Sequence, residues 1–154
     1  IPGFENAEFS GIAPRLGIRE SRRIKGEYQL CAEDVQNARK RLDGVCKGGH
    51  EVDIHGKAEK HIRFTIKDAG SYDIPLGCML PVGVYNLMVA GRSLSSDRIA
   101  HSSARVMGTC MAMGQAIGTA AALCVKQQTY PRKLSINHLR EVLVSQGAIL
   151  DGTK

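Results

Sequence analysis

The residues whose types and spacing could do chemistry lie in the stretch NLMVAGRSLSSDRIAHSSARVMGTCMAMGQAIGTAAALCV, residues 86–125. An apolar segment ends at Gly91 and is followed by Arg92 and Ser93. A second arginine, Arg105, stands just before a long run without charge. A strand end, a glycine turn and a helix N-terminus together form a site for an anion or a dipole, because unpaired backbone N–H groups point outward and the helix dipole favours negative charge. The pattern therefore predicts a ligand site at this junction, where α/β sheets commonly bind ligands.

The uncharged run 106–125 has three interpretations: a membrane span, a packed core helix or the floor of a cofactor site. A membrane helix needs about 20 predominantly apolar residues, and this run has the length but few strongly apolar side chains. Gly108, Gly114 and Gly118 would each cost about 1 kcal/mol relative to alanine in a helix, so their presence implies close approach to a flat neighbour. The membrane interpretation is therefore disfavoured, while plain packing and a cofactor floor both remain open.

Periodicity and turn residues predict the elements that would position this junction. The predicted strands cover residues 22–30, 61–66, 74–80 and 87–90, and the predicted helices cover 33–41 and 106–125. A last amphipathic helix is capped by Ser135 and ends at Gly147, with Ile136, Leu139, Val142 and Leu143 on its apolar face. The chain is therefore predicted to be α/β in class, with helices and strands mixed.

Charge and cysteine usage favour an ordinary folded chain. The 154 residues carry a net charge of +6, but acidic residues interrupt the basic clusters, which favours a solvated surface over a nucleic-acid site. The five cysteines form no C-x-x-C pair, which predicts reduced, buried thiols. His50, Asp53, His55 and His61 lie in a glycine-rich segment and are interpreted as polar loop residues, so no metal site is predicted. The compartment stays open, with the cytoplasm favoured.

The same stretch also carries a family resemblance. Residues 86–123, together with LGIRESRRIKGEYQLCAEDV (16–35), VDIHG (52–56) and YDIPLGCMLPVGVYNLMVAGR (72–92), resemble blocks of FAD-dependent oxidoreductases related to the fumarate reductase and succinate dehydrogenase flavoproteins. The blocks occur in the family's order and cover nearly the whole chain. The resemblance implies FAD as the cofactor and hydride transfer between flavin and an organic substrate.

By this resemblance, the turn would approach the flavin or its ribityl chain through the residues Ala90, Gly91, Arg92 and Ser93. The helix N-terminus would face the pyrimidine end of the flavin ring, where reduction places negative charge, through Met107, Gly108 and Thr109. Arg105 would polarise the substrate or the reduced cofactor, with a salt bridge or an anion contact as the alternative. His101 would donate a proton near the ring, with a loop histidine that has no catalytic role as the alternative.

Three arginines earlier in the chain, Arg19, Arg22 and Arg23, would by the same resemblance contact the cofactor or the substrate. The alternative is that these three positive charges lie on the surface and have no part in the site. The sequence alone leaves that choice open.

One departure from the family shapes the expected organisation. Its members begin with a strand, a G-x-G-x-x-G turn and a helix that hold the FAD pyrophosphate, and this chain has no such motif. We therefore expect the C-terminal portion of a two-domain, Rossmann-like flavoprotein without its N-terminal dinucleotide-binding βαβ unit. Residues 1–73 would belong to a substrate or cap region, 74–128 would close the FAD-binding domain with strands and the long helix, and 129–154 would form a C-terminal helix and tail.

The expected partners follow from that organisation. They are a small-molecule substrate bound by the parent protein and the missing N-terminal FAD domain, with no nucleic acid and no membrane. By itself the chain would be inactive, and it would form homo-oligomers through the uncovered glycine and alanine face of the long helix. The alternative is a non-catalytic basic interaction domain whose small-residue helix packs against a partner.

Overall fold

The computed structural model describes residues 2–54 and 62–150. In these residues the helices are α1 (Ala32–Gln36), α2 (Arg98–Ala104), α3 (Met107–Lys126) and α4 (Ile136–Ser145). The strands are β1 (Gly44–Gly48), β2 (Val52–Ile54), β3 (Ile62–Phe64) and β4 (Tyr72–Pro75). Short 3₁₀ turns occupy Lys67–Ala69, Leu76–Met79, Gly91–Ser93 and Pro131–Lys133. Helices thus mix with small antiparallel sheets, in agreement with the predicted mixture of helices and strands.

Two antiparallel strand pairs support the core. β1 pairs with β4, and β2 pairs with β3. Tyr72 of β4 is fully buried, and its hydroxyl lies 2.9 Å from the Ser103 hydroxyl of α2. A Cβ added at Gly48 would overlap the Tyr72 ring, so the ladder needs glycine at that position. The β1–β4 pair is thereby joined to α2, which leads toward the predicted site.

The long helix α3 packs one face against β1 and α4. Its buried residues recur at helical spacing and are Thr109, Met113, Ala116, Ala120, Leu123 and Cys124. The prediction of a helix over 106–125 is confirmed. The last helix is confirmed too, because the Ser135 hydroxyl accepts a hydrogen bond from the His138 backbone N–H at 3.3 Å.

The segment 22–30 is extended, but the prediction of a strand there is wrong. It makes only isolated bridges in the described part of the chain, an antiparallel one from Gly26 to Pro81 and a parallel one from Leu30 to Ser96. The two partner residues come after different 3₁₀ turns and run in opposite senses. No continuous ladder can form with such partners, although the backbone is held at both points.

Three other predicted elements differ in extent. The strand expected over 74–80 ends at Pro75, where the 3₁₀ turn Leu76–Met79 takes over, and residues 87–90 form no strand. The helix expected over 33–41 ends at Gln36, because Ala38 adopts a left-handed backbone with a φ of 51°. The strand expected over 61–66 is β3, and residue 61 lies outside the described residues.

One carboxylate fixes the starts of two helices. The Asp97 side chain accepts a hydrogen bond from the backbone N–H of Ala100 at 2.7 Å, which caps α2. Its other oxygen accepts from the backbone N–H of Ala32 at 2.8 Å, at the first residue of α1. Capping of this kind satisfies donors that the helix itself leaves unpaired. α2 then ends at Ala104, with Arg105 as its C-cap next to the start of α3, so this capping anchors the corner that carries the predicted site.

A second buried carboxylate organises the segment around α1. Asp34 has no exposed surface and accepts hydrogen bonds from the Tyr28 hydroxyl at 2.7 Å and the Arg39 guanidinium at 2.9 Å. The backbone N–H of Cys31 donates to it at 3.1 Å. Burial by itself would raise the pKa of Asp34, but these hydrogen bonds outweigh burial and hold the pKa below its usual value.

Candidate functional site

The N-terminus of α3 carries backbone donors that no side chain caps. Its N-cap residue is Val106, which has no side-chain acceptor, and the first helical hydrogen bond runs from the Cys110 N–H to the Val106 carbonyl at 2.9 Å. The N–H groups of Met107, Gly108 and Thr109 therefore precede the helical ladder. Met107 and Gly108 are exposed, and a Cβ added at Gly108 would meet no atom within 4 Å. This end of the helix is open to a ligand from outside.

The glycine turn lies directly beside that helix end. The 3₁₀ turn Gly91–Ser93 begins with Gly91 in the left-handed region, at a φ of 72°, and its backbone packs near Cys110 of α3. A Cβ added at Gly91 would lie 3.7 Å from the Cys110 sulfur, which is ordinary van der Waals contact. Glycine is favoured here because of its backbone conformation, and little room separates the turn from α3. Ala90 is half-buried before the turn, and Ser93 is exposed at its end.

A cavity of about 360 Å³ opens where these elements meet. From the predicted junction it is lined by Arg92, Arg105, Val106 and Met107. α2 adds Ser102, and distant parts of the chain add Arg19, His50 and Asp53. The structure thus brings part of the predicted set together and adds residues from the exposed N-terminal segment and the β1–β2 region.

Two of the cavity arginines hold the N-terminal segment in place. Nη1 of Arg92 donates to the backbone carbonyl of Ile18 at 2.9 Å. Nη1 of Arg105 donates to Oε1 of Glu20 at 2.5 Å, and the Arg105 side chain is 14% exposed. The salt bridge that was one alternative for Arg105 is therefore present. Whether Arg105 also polarises a substrate stays a prediction.

His101 lies inside the core and does not line the cavity. It is fully buried in α2, and its Nδ1 lies 3.3 Å from the Ser96 hydroxyl. Its Nε2 makes no hydrogen bond to any residue that the structure describes. Burial first, and then the nearby charge of Arg23, lower the pKa of His101, so the ring is neutral near pH 7. The proton-donor role expected for His101 stays a prediction, and it would require a path from the cavity to a buried ring.

The other arginines near the segment start lie outside the cavity lining. Arg23 donates from Nη1 to the Asp97 backbone carbonyl at 3.3 Å, and Arg22 is exposed. Arg19 projects into the cavity wall instead. Sequence reasoning grouped these three residues, and the fold separates Arg19 from the other two.

Residues treated as polar loop positions contribute to the site as well. His50 and Asp53 line the cavity, and His50 Nδ1 lies 2.7 Å from the Glu51 carbonyl oxygen. Within residues 2–54 and 62–150, no three histidine, cysteine or acidic side chains are grouped as they would be around a metal ion. His55 and His61 lie outside the described residues. The sequence signal that could have pointed to His50 and Asp53 is the block VDIHG (52–56), which contains Asp53 and follows His50 closely. The spacing of these residues does not by itself indicate a cavity.

The face of α3 opposite the core is uncharged and open. Gly114 and Gly118 are exposed with no atom near an added Cβ, and Met111 and Val125 are 75% and 80% exposed. Among the described residues, α3 is long and apolar enough to cross a membrane, with a mean hydropathy of 1.3, and 28% of that window is buried. One such helix is a weak indication, because core helices meet the same criterion. The absence of a membrane partner stays a prediction.

The five cysteines are all free. Cys46, Cys78 and Cys124 are buried, and the other two are partly buried. Burial raises the pKa of Cys78 to about 12, so the buried thiol is uncharged at neutral pH. The prediction of unpaired thiols is confirmed, whereas the prediction that all five are buried is wrong for Cys31 and Cys110.

The model of the family described as FAD dependent oxidoreductase matches residues 1–143. No curated protein and no solved structure matches the chain.

Proposed function

This chain belongs to the family of FAD-dependent oxidoreductases, and we propose that it supplies one wall of the flavin site in a longer flavoenzyme. The enzyme would move a hydride between FAD and a small organic substrate. The chain alone would be inactive, because it has no G-x-G-x-x-G turn to hold the pyrophosphate. In this proposal, residues 74–128 close a Rossmann-like FAD domain and residues 1–73 belong to the substrate region.

The observation that carries the proposal is the meeting of three features around one cavity. They are the uncapped N-terminus of α3, the left-handed turn at Gly91, and the side chains of Arg92 and Arg105. Backbone N–H groups and fixed positive charges in one cavity stabilise negative charge on a bound group without reorganising. A reduced flavin carries such charge on its pyrimidine end, so this donor set fits the cofactor.

The space around these donors also fits a flat ring. Gly108 has nothing within 4 Å of an added Cβ, and Met107 beside it is exposed. When bound, FAD supplies the hydride chemistry. The backbone N–H groups of Met107, Gly108 and Thr109 would orient its ring edge, while Ala90, Gly91 and Ser93 would lie along the ribityl chain. Arg92 and Arg105 would keep the cavity positive.

The open face of α3 supports a longer parent protein. Gly114 and Gly118 leave a surface with almost no side chains, which suits close packing against a sheet. A missing FAD domain would supply that sheet. The same face is the one observation that favours the second candidate function, a non-catalytic basic interaction domain that binds a protein partner there. The two candidates differ in whether the natural protein carries flavin.

The test is to purify the natural protein that contains this sequence and to record its visible absorbance. Flavin released by heat denaturation is then quantified against protein. We expect a yellow protein with FAD in equimolar amount. A colourless protein that gains no flavin when incubated with FAD would reject the flavoenzyme and favour the interaction domain.

A further inference from the structure

We propose that a second cavity, bounded by β1, α3 and residues 147–150, binds a carboxylate that carries a short hydrocarbon chain. Lys40 and Lys47 hold the carboxylate, and the apolar part of the lining receives the chain. The cavity has a volume of about 390 Å³, which suits a small organic molecule. None of the residues described along its lining belongs to the cavity at the start of α3, so the proposal is independent of whether the protein carries flavin.

The β1–β4 pair brings an ammonium group and a hydroxyl to this cavity. Lys47 of β1 lies opposite Asp73 of β4, and its Nζ donates to Oδ1 of Asp73 at 2.6 Å. Ser71 stands directly before β4. Lys47 and Ser71 both line the cavity, and the Lys47 side chain is only 12% exposed. Two polar groups that can bind an anion are therefore fixed by strand pairing.

Lys40 brings a second ammonium group to the edge of the cavity. Its Nζ donates to the Ser71 hydroxyl at 3.0 Å and also to the Ser71 backbone carbonyl. Burial, and then the positive charge of Lys47, lower the pKa of Lys40. Two like charges are thus held near each other beside a cavity, and a bound anion would relieve their repulsion.

The charges of this cluster favour a singly charged ligand. Asp73 pairs with Lys47 and also accepts a hydrogen bond from the Arg41 backbone N–H at 2.8 Å, so its carboxylate is already engaged. The acceptors that the structure describes for Lys40 are two neutral oxygens of Ser71. A carboxylate matches the single positive charge of Lys40, whereas a phosphate monoester brings a second negative charge close to Asp73.

The rest of the lining is mostly apolar. α3 contributes Ala112 and, three residues later, Gln115, whose amide is a further hydrogen-bond donor. The remaining lining residues are Val45, Cys46, Gly147, Ala148, Ile149 and Leu150. Burial raises the pKa of the Cys46 thiol, so this side chain adds no charge. A hydrocarbon chain attached to the carboxylate therefore meets apolar surface beside the two lysines, and its burial there stabilises the complex.

The test uses the purified natural protein and calorimetric titration at constant ionic strength. Hexanoate is the probe, hexanamide is its uncharged counterpart, and acetate lacks the chain. Lys40→Gln removes the proposed contact. Lys133→Gln is the matched control, because it removes the same charge from an exposed lysine in the 3₁₀ turn Pro131–Lys133, which is separate in the chain from β1 and residues 147–150. Ala112→Leu fills part of the cavity.

We expect Lys40→Gln to weaken hexanoate binding by at least about fivefold, as for a charge-assisted contact that water partly screens. Lys133→Gln should stay within about twofold. Hexanoate should bind at least about tenfold more tightly than acetate, because its additional methylene groups are buried, and Ala112→Leu should weaken it by a similar factor. Melting curves of all three variants check that the fold is retained.

Several results would overturn the proposal. They are the absence of hexanoate binding by the wild type, equal binding of hexanamide or acetate, and unchanged hexanoate binding by Lys40→Gln or by Ala112→Leu. Hexyl phosphate tests the ligand class. If it binds more tightly than hexanoate and its binding depends on Lys40, the assignment of a carboxylate is wrong.

Discussion

Substitution of Gly91 can distinguish loss of the proposed flavin contact from loss of fold stability. Gly91 has a φ of 72°, and a residue with a side chain costs about 1–2 kcal/mol in that left-handed region. Valine lies at the upper end because it is β-branched. The nearest atom to an added Cβ is the Cys110 sulfur at 3.7 Å, so steric overlap adds little. We expect Gly91→Val to lower the free energy of unfolding by about 2 kcal/mol, and the melting temperature by about 4–8 °C.

Gly83 provides the matched control for that substitution. Its φ is 80°, and nothing lies within 4 Å of an added Cβ. Gly83→Val therefore carries similar backbone strain outside the Gly91–Ser93 turn, which is the turn that contributes Arg92 to the cavity. In the natural protein, we expect Gly91→Val to weaken FAD binding by at least about tenfold, which corresponds to about 1.4 kcal/mol. Gly83→Val should lose similar stability and keep its flavin.

The assay combines chemical unfolding, followed by circular dichroism, with FAD titration of the deflavinated protein. Retention of wild-type FAD affinity by Gly91→Val would refute the idea that the turn backbone approaches the flavin. Equal loss of flavin by both variants would also refute it, because the loss would then follow from stability alone. Unequal destabilisation of the two variants would show that the strain argument itself is wrong.

Three further predictions concern stability and assembly. The lowered pKa of Asp34 contributes stability that is present above its ordinary pKa of about 3.9 and is lost as pH falls through the folded-state value. Urea midpoints measured across pH should therefore fall in acid. Asp34→Asn should reduce this fall, whereas Glu8→Gln, at an exposed position, should leave it unchanged. Asp97→Ala should cost about 2 kcal/mol in urea unfolding because α1 and α2 both lose a hydrogen bond, whereas a cost below about 0.5 kcal/mol would contradict the shared cap. The separate 154-residue chain should dimerise through the open face of α3, and size-exclusion chromatography at several concentrations measures this. Gly118→Glu should prevent dimerisation, and a wild-type monomer at every concentration would reject the interface.

The elements that the sequence predicted correctly are those with local signals. α3 follows from a long uncharged run that no proline interrupts, and α4 follows from the Ser135 cap and its apolar spacing. The strand expected over 22–30 failed because strand formation depends on partners elsewhere in the chain. Its neighbours at Pro81 and Ser96 run in opposite senses, and no local pattern reports that.

The candidate site likewise has features with local signals and features that depend on distant parts of the chain. The sequence by itself determined the glycine turn at Gly91, Arg92 within it, and the start of α3 just after Arg105, because turns and helix ends are set by residues a few positions apart. Only the tertiary structure decided that Arg105 pairs with Glu20, that His101 is buried and that Arg19 joins the cavity. The ion pair between Arg105 and Glu20 joins residues 85 positions apart. Charge pairing and burial depend on distance in space, which the order of residues along the chain does not contain.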